Sequence, residues 1–169
     1  MAQIPLISIR CSDASGALYG MTQGGGPPPR SSGIVYKFTP PAAGQTQWTK
    51  KVLYRFKGRP DAAIPYAGLA FDGNGALWGT TTAGGVYGSY ANGINYSAGT
   101  IFKLTPPAAG KTGWTESVAY NFYIPGGNSG YDGNIPMSPL LFAPSQGQFF
   151  GTTSGGGPCN CGTVFRFRP

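Results

Sequence analysis

Three segments of this chain repeat one another in the same order, and this repetition limits its fold more than any other feature. Each copy carries a Gly-x-x-aromatic-Gly motif and, further on, a Gly-x-x-aromatic-Lys/Arg motif. Because matching blocks recur in one order, each unit is expected to fold in the same way. The matching blocks are residues 16–26, 75–85 and 147–157; residues 33–44, 99–110 and 162–169; residues 48–56 and 114–122; and residues 61–71 and 132–142.

Each unit is predicted to contain four short antiparallel strands. In the second unit, residues 72–75 (Asp-Gly-Asn-Gly) indicate a hairpin between the first two strands, because Asn and Gly tolerate positive φ. Pro106 and Pro107 end the third strand, since proline cannot continue a central strand. Four antiparallel strands repeated in a fixed order are typical of a β-propeller blade. The strands of this unit are expected near residues 69–71, 76–81, 100–105 and 115–122, with residues 61–65 as the link that enters the first strand.

The composition agrees with an all-β chain. Glycine and proline together supply 45 of the 169 residues, and both destabilise helix interiors. Aromatic residues make up 14% of the chain and supply the burial that a disordered chain lacks. No apolar run approaches the roughly 20 residues that span a bilayer, so no membrane span is expected.

Counting strands predicts about three four-stranded blades, the last of which lacks its outer strand. Propellers usually close with about 4–8 blades, because each blade packs against two neighbours. We therefore expect either half of a six-bladed ring, closed by a second copy of the chain, or a fragment of a larger propeller. The chain is treated as a single repeat domain over residues 1–169, with units at about 1–60, 61–131 and 132–169.

These units resemble a bacterial repeat of the Gloeo/Verruco type, in which L-Y-G-T-T-x-x-G-G is followed by G-T-V-F-K-L-T-P. The matching residues are 77–81 with Gly84 and Gly85, and then 99–106. The resemblance implies an exported protein, extracellular or periplasmic, and implies no activity. Residues 1–6 lack the features of a secretory signal, so a cytoplasmic location also stays open. Residues 72–80 further resemble the propeller repeats of bacterial sensor ectodomains, which implies only the same fold.

Histidine is absent, and its absence argues against an enzyme. It removes the commonest general base, the Ser-His and Cys-His nucleophile pairs and every His-ligated metal site. The three cysteines, Cys11, Cys159 and Cys161, cannot complete a four-ligand zinc site within one chain. Inert or structural cysteines are favoured, either as a Cys159–Cys161 bridge or as a bridge from Cys11 to one of them. No metal or other cofactor is predicted.

The net charge of +7 permits attraction to polyanions, but the basic residues are scattered along the chain. The tightest group surrounds the strand near residue 52, where alternation would place Val52, Tyr54 and Phe56 on one side and Lys51, Arg55 and Lys57 on the other. A solvated outer strand explains this group, and nucleic acid is not an expected partner.

The candidate binding residues lie in segments that differ between units, since loops on a rigid scaffold carry recognition. Residues 86–97 are inserted in the second unit, and residues 123–131 precede the third. Loops rich in Tyr, Asn, Ser and Gly are typical of adaptable binding surfaces. In a propeller these segments would meet on one face. The predicted binding residues are Arg30, Arg59, Asp61, Tyr87, Tyr90, Asn95, Tyr96, Asn128, Tyr131 and Asp132.

The leading hypothesis is a non-catalytic propeller module that binds a ligand or a protein partner through this loop face and self-associates or joins further blades. A carbohydrate-binding, lectin-like propeller is the first alternative and requires exposed aromatic platforms on that face. A lyase or hydrolase that uses Asp61 and Asp132 as acid and base is the second. Side-chain capping of turns is the competing explanation for both aspartates.

Overall fold

The computed structural model describes residues 8–25, 32–87, 90–91, 94–95, 98–123 and 133–169. Within these ranges the chain consists of antiparallel β-strands joined by turns, with no helix. The predicted all-β class is therefore confirmed. In this described part, no helix has the length and apolarity needed to cross a membrane.

The first unit forms sheet 1, in which four strands pair in chain order. All three pairings are antiparallel, as the repeat predicts. The strands are β1 (Ser8–Ser12), β2 (Leu18–Thr22), β3 (Ile34–Thr39) and β4 (Thr49–Arg55).

A β-bulge in β4 changes which of its side chains face the next sheet. Val35 lies opposite Tyr54, and the next pair is Tyr36 opposite Val52. Because Val35 and Tyr36 are neighbours and point to opposite faces, Val52 and Tyr54 do so as well. The expected division of this strand is therefore wrong for Val52, which does not share a side with Tyr54, and for Lys51, which does not share a side with Arg55.

The second unit forms sheet 2, whose strand order is β11-β10-β7-β5, with β6 also paired to β7. Residues 62–65, expected to be a link, are a strand, so two short strands share one edge of β7. The strands of sheet 2 are β5 (Ala62–Pro65), β6 (Ala70–Phe71), β7 (Leu77–Gly84), β10 (Thr100–Thr105) and β11 (Thr115–Asn121). Between β7 and β10, the strands β8 (Tyr90–Ala91) and β9 (Ile94–Asn95) form a separate two-stranded ribbon.

The third unit forms sheet 3 in the same way, with two short strands on one edge of a long one. Among the described strands, none pairs with the outer edge of the last strand. The strands are β12 (Asn134–Pro136), β13 (Leu141–Ala143), β14 (Gln148–Gly155) and β15 (Val164–Phe167).

Sheet 2 lies between the other two, and each of its faces contributes to a separate core. Leu77 and Phe102 are fully buried against sheet 1, where the rings of Phe102 and Phe56 lie 5.0 Å apart. Trp78 faces sheet 3, and its ring lies 4.9 Å from that of Phe149. Trp78 and Phe102, whose positions carry an aromatic residue in every unit, thus pack between adjacent sheets.

A repeated backbone hydrogen bond joins each sheet to the one before it. The amide of Ile64 in sheet 2 donates to the carbonyl of Ser32 at 2.9 Å, and the amide of Ile135 in sheet 3 donates to the carbonyl of Ala98 at 2.8 Å. Both isoleucines have φ of 54°, a value that β-branched residues rarely adopt. The same junction is therefore formed twice, at equivalent positions of the repeat.

The proline after each of these isoleucines packs on a glycine of the preceding sheet. A Cβ on Gly33 would lie 2.5 Å from Pro65 Cδ, and one on Gly99 would lie 2.7 Å from Pro136 Cδ. Only glycine leaves room for this approach, and both glycines have positive φ. The Ile-Pro pair and the glycine together fix the spacing of adjacent sheets.

Asp13 and Asp72 stabilise equivalent hairpins in sheets 1 and 2. Each carboxylate accepts hydrogen bonds from two backbone amides of its turn. Asp72 also accepts from Trp78 Nε1 at 2.9 Å, and Asp13 accepts from the Tyr19 hydroxyl at 2.9 Å and pairs with Lys37 Nζ at 2.9 Å. Both aspartates are thus committed to holding their hairpins.

Sheets 1 and 3 each present a face that no other sheet covers among the described residues. On the open face of sheet 3, Leu141 is 69% exposed and Val164 is 80% exposed. On the open face of sheet 1, Trp48 is exposed, while Phe38 and Val52 are half-buried. The three-sheet stack therefore ends in apolar surface on both sides.

Candidate functional site

Two exposed tyrosines form the most prominent feature of the loop end of sheet 2. Tyr87 follows β7 and Tyr123 follows β11, and their ring centroids lie 4.9 Å apart at an angle of 58°. Tyr87 is 48% exposed and Tyr123 is 47% exposed. Paired aromatic rings that are half exposed can stack on a flat apolar or sugar surface.

The segment that carries Tyr87 is fixed by hydrogen bonds on both sides of Val86. The amide of Val86 donates to Asn121 Oδ1 at 2.9 Å, and Arg59 Nη2 donates to the carbonyl of Val86 at 2.8 Å. Val86 itself is exposed. We call Arg59, Val86, Tyr87 and Tyr123 the loop surface, which is held on the framework of sheet 2 before any ligand arrives.

The structure brings only some of the predicted binding residues together. Arg59 and Tyr87 belong to the loop surface. Tyr90 and Asn95 lie directly opposite each other in the β8–β9 ribbon. The remaining predicted residues apart from Asp61 lie outside the described part of the chain: Arg30, Tyr96, Asn128, Tyr131 and Asp132.

Asp61 holds a turn between sheets 1 and 2. Its carboxylate accepts from the amides of Lys57 and Ala62, both at 2.7 Å, and from the hydroxyl of Tyr54 at 3.0 Å. The interpretation of this aspartate as a turn-capping residue is therefore confirmed. Its repeat equivalent, Asp132, lies outside the described residues.

Glu116 lies beside Asp61 in a cleft of about 490 Å³ that Arg59 and Lys57 also line. Burial raises the pKa of Glu116 to about 8, aided by a hydrogen bond to Asp61 and by the charge of Asp61. Its Oε1 is buried and has no hydrogen-bond partner among the described residues. The cleft thus combines a carboxyl that stays protonated at neutral pH with a carboxylate and two cations, a set that can donate a proton or hold an anionic group.

Sequence comparison identifies the repeat. The model of the Gloeobacter/Verrucomicrobia repeat matches residues 5–169. The chain belongs to this repeat family. No curated protein and no solved structure matches it. The resemblance carried by residues 77–85 and 99–106 is thereby confirmed.

Within this Gloeobacter/Verrucomicrobia repeat, sequence reasoning missed two residues of the site. Glu116 stands where the first unit has Lys50, and this reversal of charge is a signal in the sequence that could have identified it. Tyr123 is the first residue of the segment 123–131 that precedes the third unit. Its ring contact with Tyr87 depends on the relative positions of the ends of β7 and β11, and the spacing of residues along the chain does not reveal these positions.

The cysteines of this family member serve no metal site in the described part of the chain. Cys159 and Cys161 form a disulfide, one of the pairings that the sequence left open. Cys11 is a free, half-buried thiol, and burial together with the charge of Asp13 raises its pKa to about 12. Such a thiol is unreactive at neutral pH. Among the described residues, no group of three His, Cys, Asp or Glu side chains could hold a metal ion.

Proposed function

We propose that the three sheets are blades of a β-propeller. Three observations support this: apart from the additional edge strands β5 and β12, the strands of each sheet pair in chain order; adjacent sheets pack face to face through aromatic rings; and the Ile-Pro junction occurs at both contacts. A stack of twisted sheets that repeats one contact rotates in a constant direction and can close on itself.

We further propose that the stack is completed by more blades, with a second copy of the chain as the simplest source. The open face of sheet 1 carries the exposed Trp48, the equivalent of Trp114, which packs into the core shared with the preceding sheet. The open face of sheet 3 carries Phe150, the equivalent of Trp78, which contacts the following sheet. The two open faces are therefore the two halves of the internal contact, and two copies would close a six-bladed ring.

Cys161 and Gly162 support the same assembly. In the repeat they are equivalent to Ser32-Gly33 and Ala98-Gly99, each of which contacts an Ile-Pro pair of the next sheet. The equivalent pair of the first unit is Ile4-Pro5, which a second copy of the chain would supply. Light scattering across a concentration series tests the ring: we expect twice the 17.5 kDa of one chain. Leu141→Asp, on the open face of sheet 3, should yield the single-chain mass. A monomeric wild-type chain at high concentration would contradict closure by a second copy.

The function that we propose is non-catalytic binding of a partner through the loop surface. The observation that carries it is the exposed Tyr87–Tyr123 pair, whose supporting segment is fixed by Arg59 and Asn121. Asp61 supports the non-catalytic assignment, because its carboxylate is already engaged by three donors. Open rings on a prearranged loop bind at low entropic cost.

Carbohydrate is the ligand class that the paired tyrosine rings favour. A glycan array with the wild-type chain, Tyr87→Ala and Tyr66→Ala tests it, since Tyr66 is equally exposed but follows β5, on the opposite edge of sheet 2 from β11. We expect glycan binding to fall about tenfold or more in Tyr87→Ala and to persist in Tyr66→Ala. A silent array would exclude the lectin-like function and leave a protein partner.

A photo-crosslinking amino acid tests the protein-partner form of the proposal. It would be placed at position 87 and, as the matched control, at position 66, in the source organism. Adducts from position 87 and none from position 66 are expected. Equal adducts from both positions, or none together with a silent array, would refute binding through the loop surface.

We propose that the protein is exported, as members of such repeat families typically are. The Cys159–Cys161 disulfide supports this, because disulfides persist in oxidising compartments. Fractionation of source cells would contradict the proposal if the protein were found with cytosolic markers.

A further inference from the structure

The Cys159–Cys161 disulfide lies in the connection between β14 and β15 and encloses a single residue, Asn160. Both cysteines are exposed, as are Pro158 and Asn160, and neither cysteine belongs to the core on either side of sheet 2. A thiol on another molecule can therefore reach this bridge. Exposed disulfides exchange readily with thiols, whereas structural disulfides resist reduction.

The connection is also held by hydrogen bonds that do not involve the bridge. The amide of Asn160 donates to the carbonyl of Gly157 at 3.1 Å, and the amide of Gly162 donates to the carbonyl of Gly156 at 3.1 Å. The side-chain oxygen of Asn160 accepts from the amide of Gly156 at 2.8 Å. Because none of these contacts uses a sulfur, reduction of the bridge removes none of them.

The other two units form the equivalent connection without cysteine. Residues 27–32 of the first unit and 86–98 of the second lie between the same two strands, and neither segment contains a cysteine. A bridge that encloses one residue also restrains the unfolded chain only slightly, because the loop that it closes is short. The fold of the repeat therefore does not require this bridge.

Reduction would leave the two thiols in a position to form the bridge again. Their Cα atoms lie 5.3 Å apart, within the range of roughly 4.4–6.8 Å that disulfides span. Since the hydrogen bonds at Gly156 and Gly157 hold the connection, we expect this separation to change little on reduction. A cysteine pair that opens and closes without unfolding can pass its oxidation to other thiols.

We propose that the Cys159–Cys161 disulfide is a thiol–disulfide exchange site that oxidises pairs of cysteine thiols in substrate polypeptides. A thiolate of the substrate attacks one of the two sulfurs, the S–S bond breaks, and the other cysteine leaves as a thiolate that takes up a proton. The second substrate thiol loses its proton and attacks the mixed disulfide, which releases the first cysteine as a thiolate that is also protonated. The substrate thus loses two electrons and two protons and gains a disulfide, while the connection becomes a dithiol.

Exchange at Cys159 is compatible with the assembly proposed above. The Ile-Pro junction uses the residue before the glycine and the glycine itself, as Ser32 and Gly33 illustrate. The equivalent residues are Cys161 and Gly162, so Cys159 lies outside the junction. The exchange site is separate from the loop surface, and the proposal stands or falls independently of the proposed function.

Oxidation of a reduced synthetic peptide with two cysteines tests the exchange. The full chain carries Cys11→Ser, so that Cys159 and Cys161 are its only cysteines. With the peptide in excess, we expect oxidation at a rate about tenfold or more above that of oxidised glutathione at the same concentration. The matched control, in which Cys159 and Cys161 are also replaced by serine, should oxidise no peptide. A rate no higher than that of oxidised glutathione would overturn the proposal.

Reduction of the bridge by glutathione separates an exchange site from a structural disulfide. Mass spectrometry after thiol alkylation measures the fraction of the bridge that is reduced. We expect reduced glutathione to open most of the bridge, whereas a structural disulfide would stay closed. The reduced chain should keep its circular dichroism spectrum, and its Tm should fall by no more than about 3 °C. A bridge that stays oxidised, or a chain that unfolds when reduced, would overturn the proposal, because the disulfide would then be structural.

Discussion

Replacing Glu116 with glutamine should stabilise the protein, although it removes a carboxyl from the contact between sheets 1 and 2. Glu116 lies on β11 beside Asp61, and burial raises its pKa to about 8 from an ordinary 4.5. The folded chain therefore keeps a proton that the unfolded chain releases above about pH 4.5. Folding costs increasing free energy as the pH rises from about 4.5 to about 8, and the cost is constant above that range. Glutamine has a similar shape and no proton to lose.

The magnitude follows from the width of that pH interval. At pH 7 the interval spans about 2.5 pH units, equivalent to about 3 kcal/mol at 1.36 kcal/mol per unit. Because Glu116 is only half-buried, solvent screening reduces this to about 1 kcal/mol. For a chain of this length, about 1 kcal/mol corresponds to a rise in Tm of about 3 °C.

Thermal and urea unfolding at pH 5, pH 7 and pH 8.5 measure the effect. The advantage of Glu116→Gln should be small at pH 5, about 1 kcal/mol at pH 7 and largest at pH 8.5. Thr115→Lys changes the net charge by the same sign at an exposed neighbour and should show no such trend with pH. A Glu116→Gln variant that is less stable at every pH would refute the reasoning, since it would mean that the carboxyl is ionised and favourably paired in the folded chain.

Two further substitutions test the packing and the hairpins. Gly79→Ala should cost about 1–3 kcal/mol in urea unfolding, because the new Cβ would lie 2.7 Å from Phe102 Cζ. Gly73→Ala is the control and should be nearly neutral, because no atom lies within 4 Å of the new Cβ. Equal costs for the two substitutions would contradict the close approach of Gly79 to Phe102. Asp72→Asn places an amide against Trp78 Nε1 and should cost about 1–2 kcal/mol at neutral pH. Burial alone would raise the pKa of Asp72, but the hydrogen bonds from Trp78 and from the turn have the larger effect, so the pKa lies below its ordinary value. The cost of Asp72→Asn should therefore shrink as the pH falls through this lowered pKa. A cost that does not depend on pH would contradict this account.

The repeated units and the antiparallel order within them could be predicted from the sequence because they depend on local patterns. Aromatic residues at fixed offsets from glycine place rings on set faces of a strand, as Trp78 and Phe102 illustrate. Residues 62–65 could not be predicted as a strand. Their pairing requires Ile64 to adopt a positive φ, and a hydrogen bond from Ile64 to Ser32 in the preceding sheet accompanies that conformation. Local propensity argues against it.

The candidate site shows the same division. The turn-capping interpretation of Asp61 was available from the sequence, because aspartate commonly accepts hydrogen bonds from nearby amides. The raised pKa of Glu116 was not, since it arises from burial and from Asp61, which belongs to the preceding link. The facing of Tyr87 and Tyr123 likewise depends on the pairing of strands that are distant in the chain.

Departures from the repeat are the positions where this scaffold gains distinct chemistry. Glu116 replaces the equivalent of Lys50 and acquires a raised pKa beside Asp61. Pro144 replaces the equivalent of Asp13, and Arg166, at the position of Lys37, forms no ion pair among the described residues. Residues that match across units bury rings, close hairpins and join sheets, so changing them should lower the free energy of unfolding. Changing the departures should alter proton binding or partner binding while the stack stays folded, and this contrast separates recognition from framework in the chain.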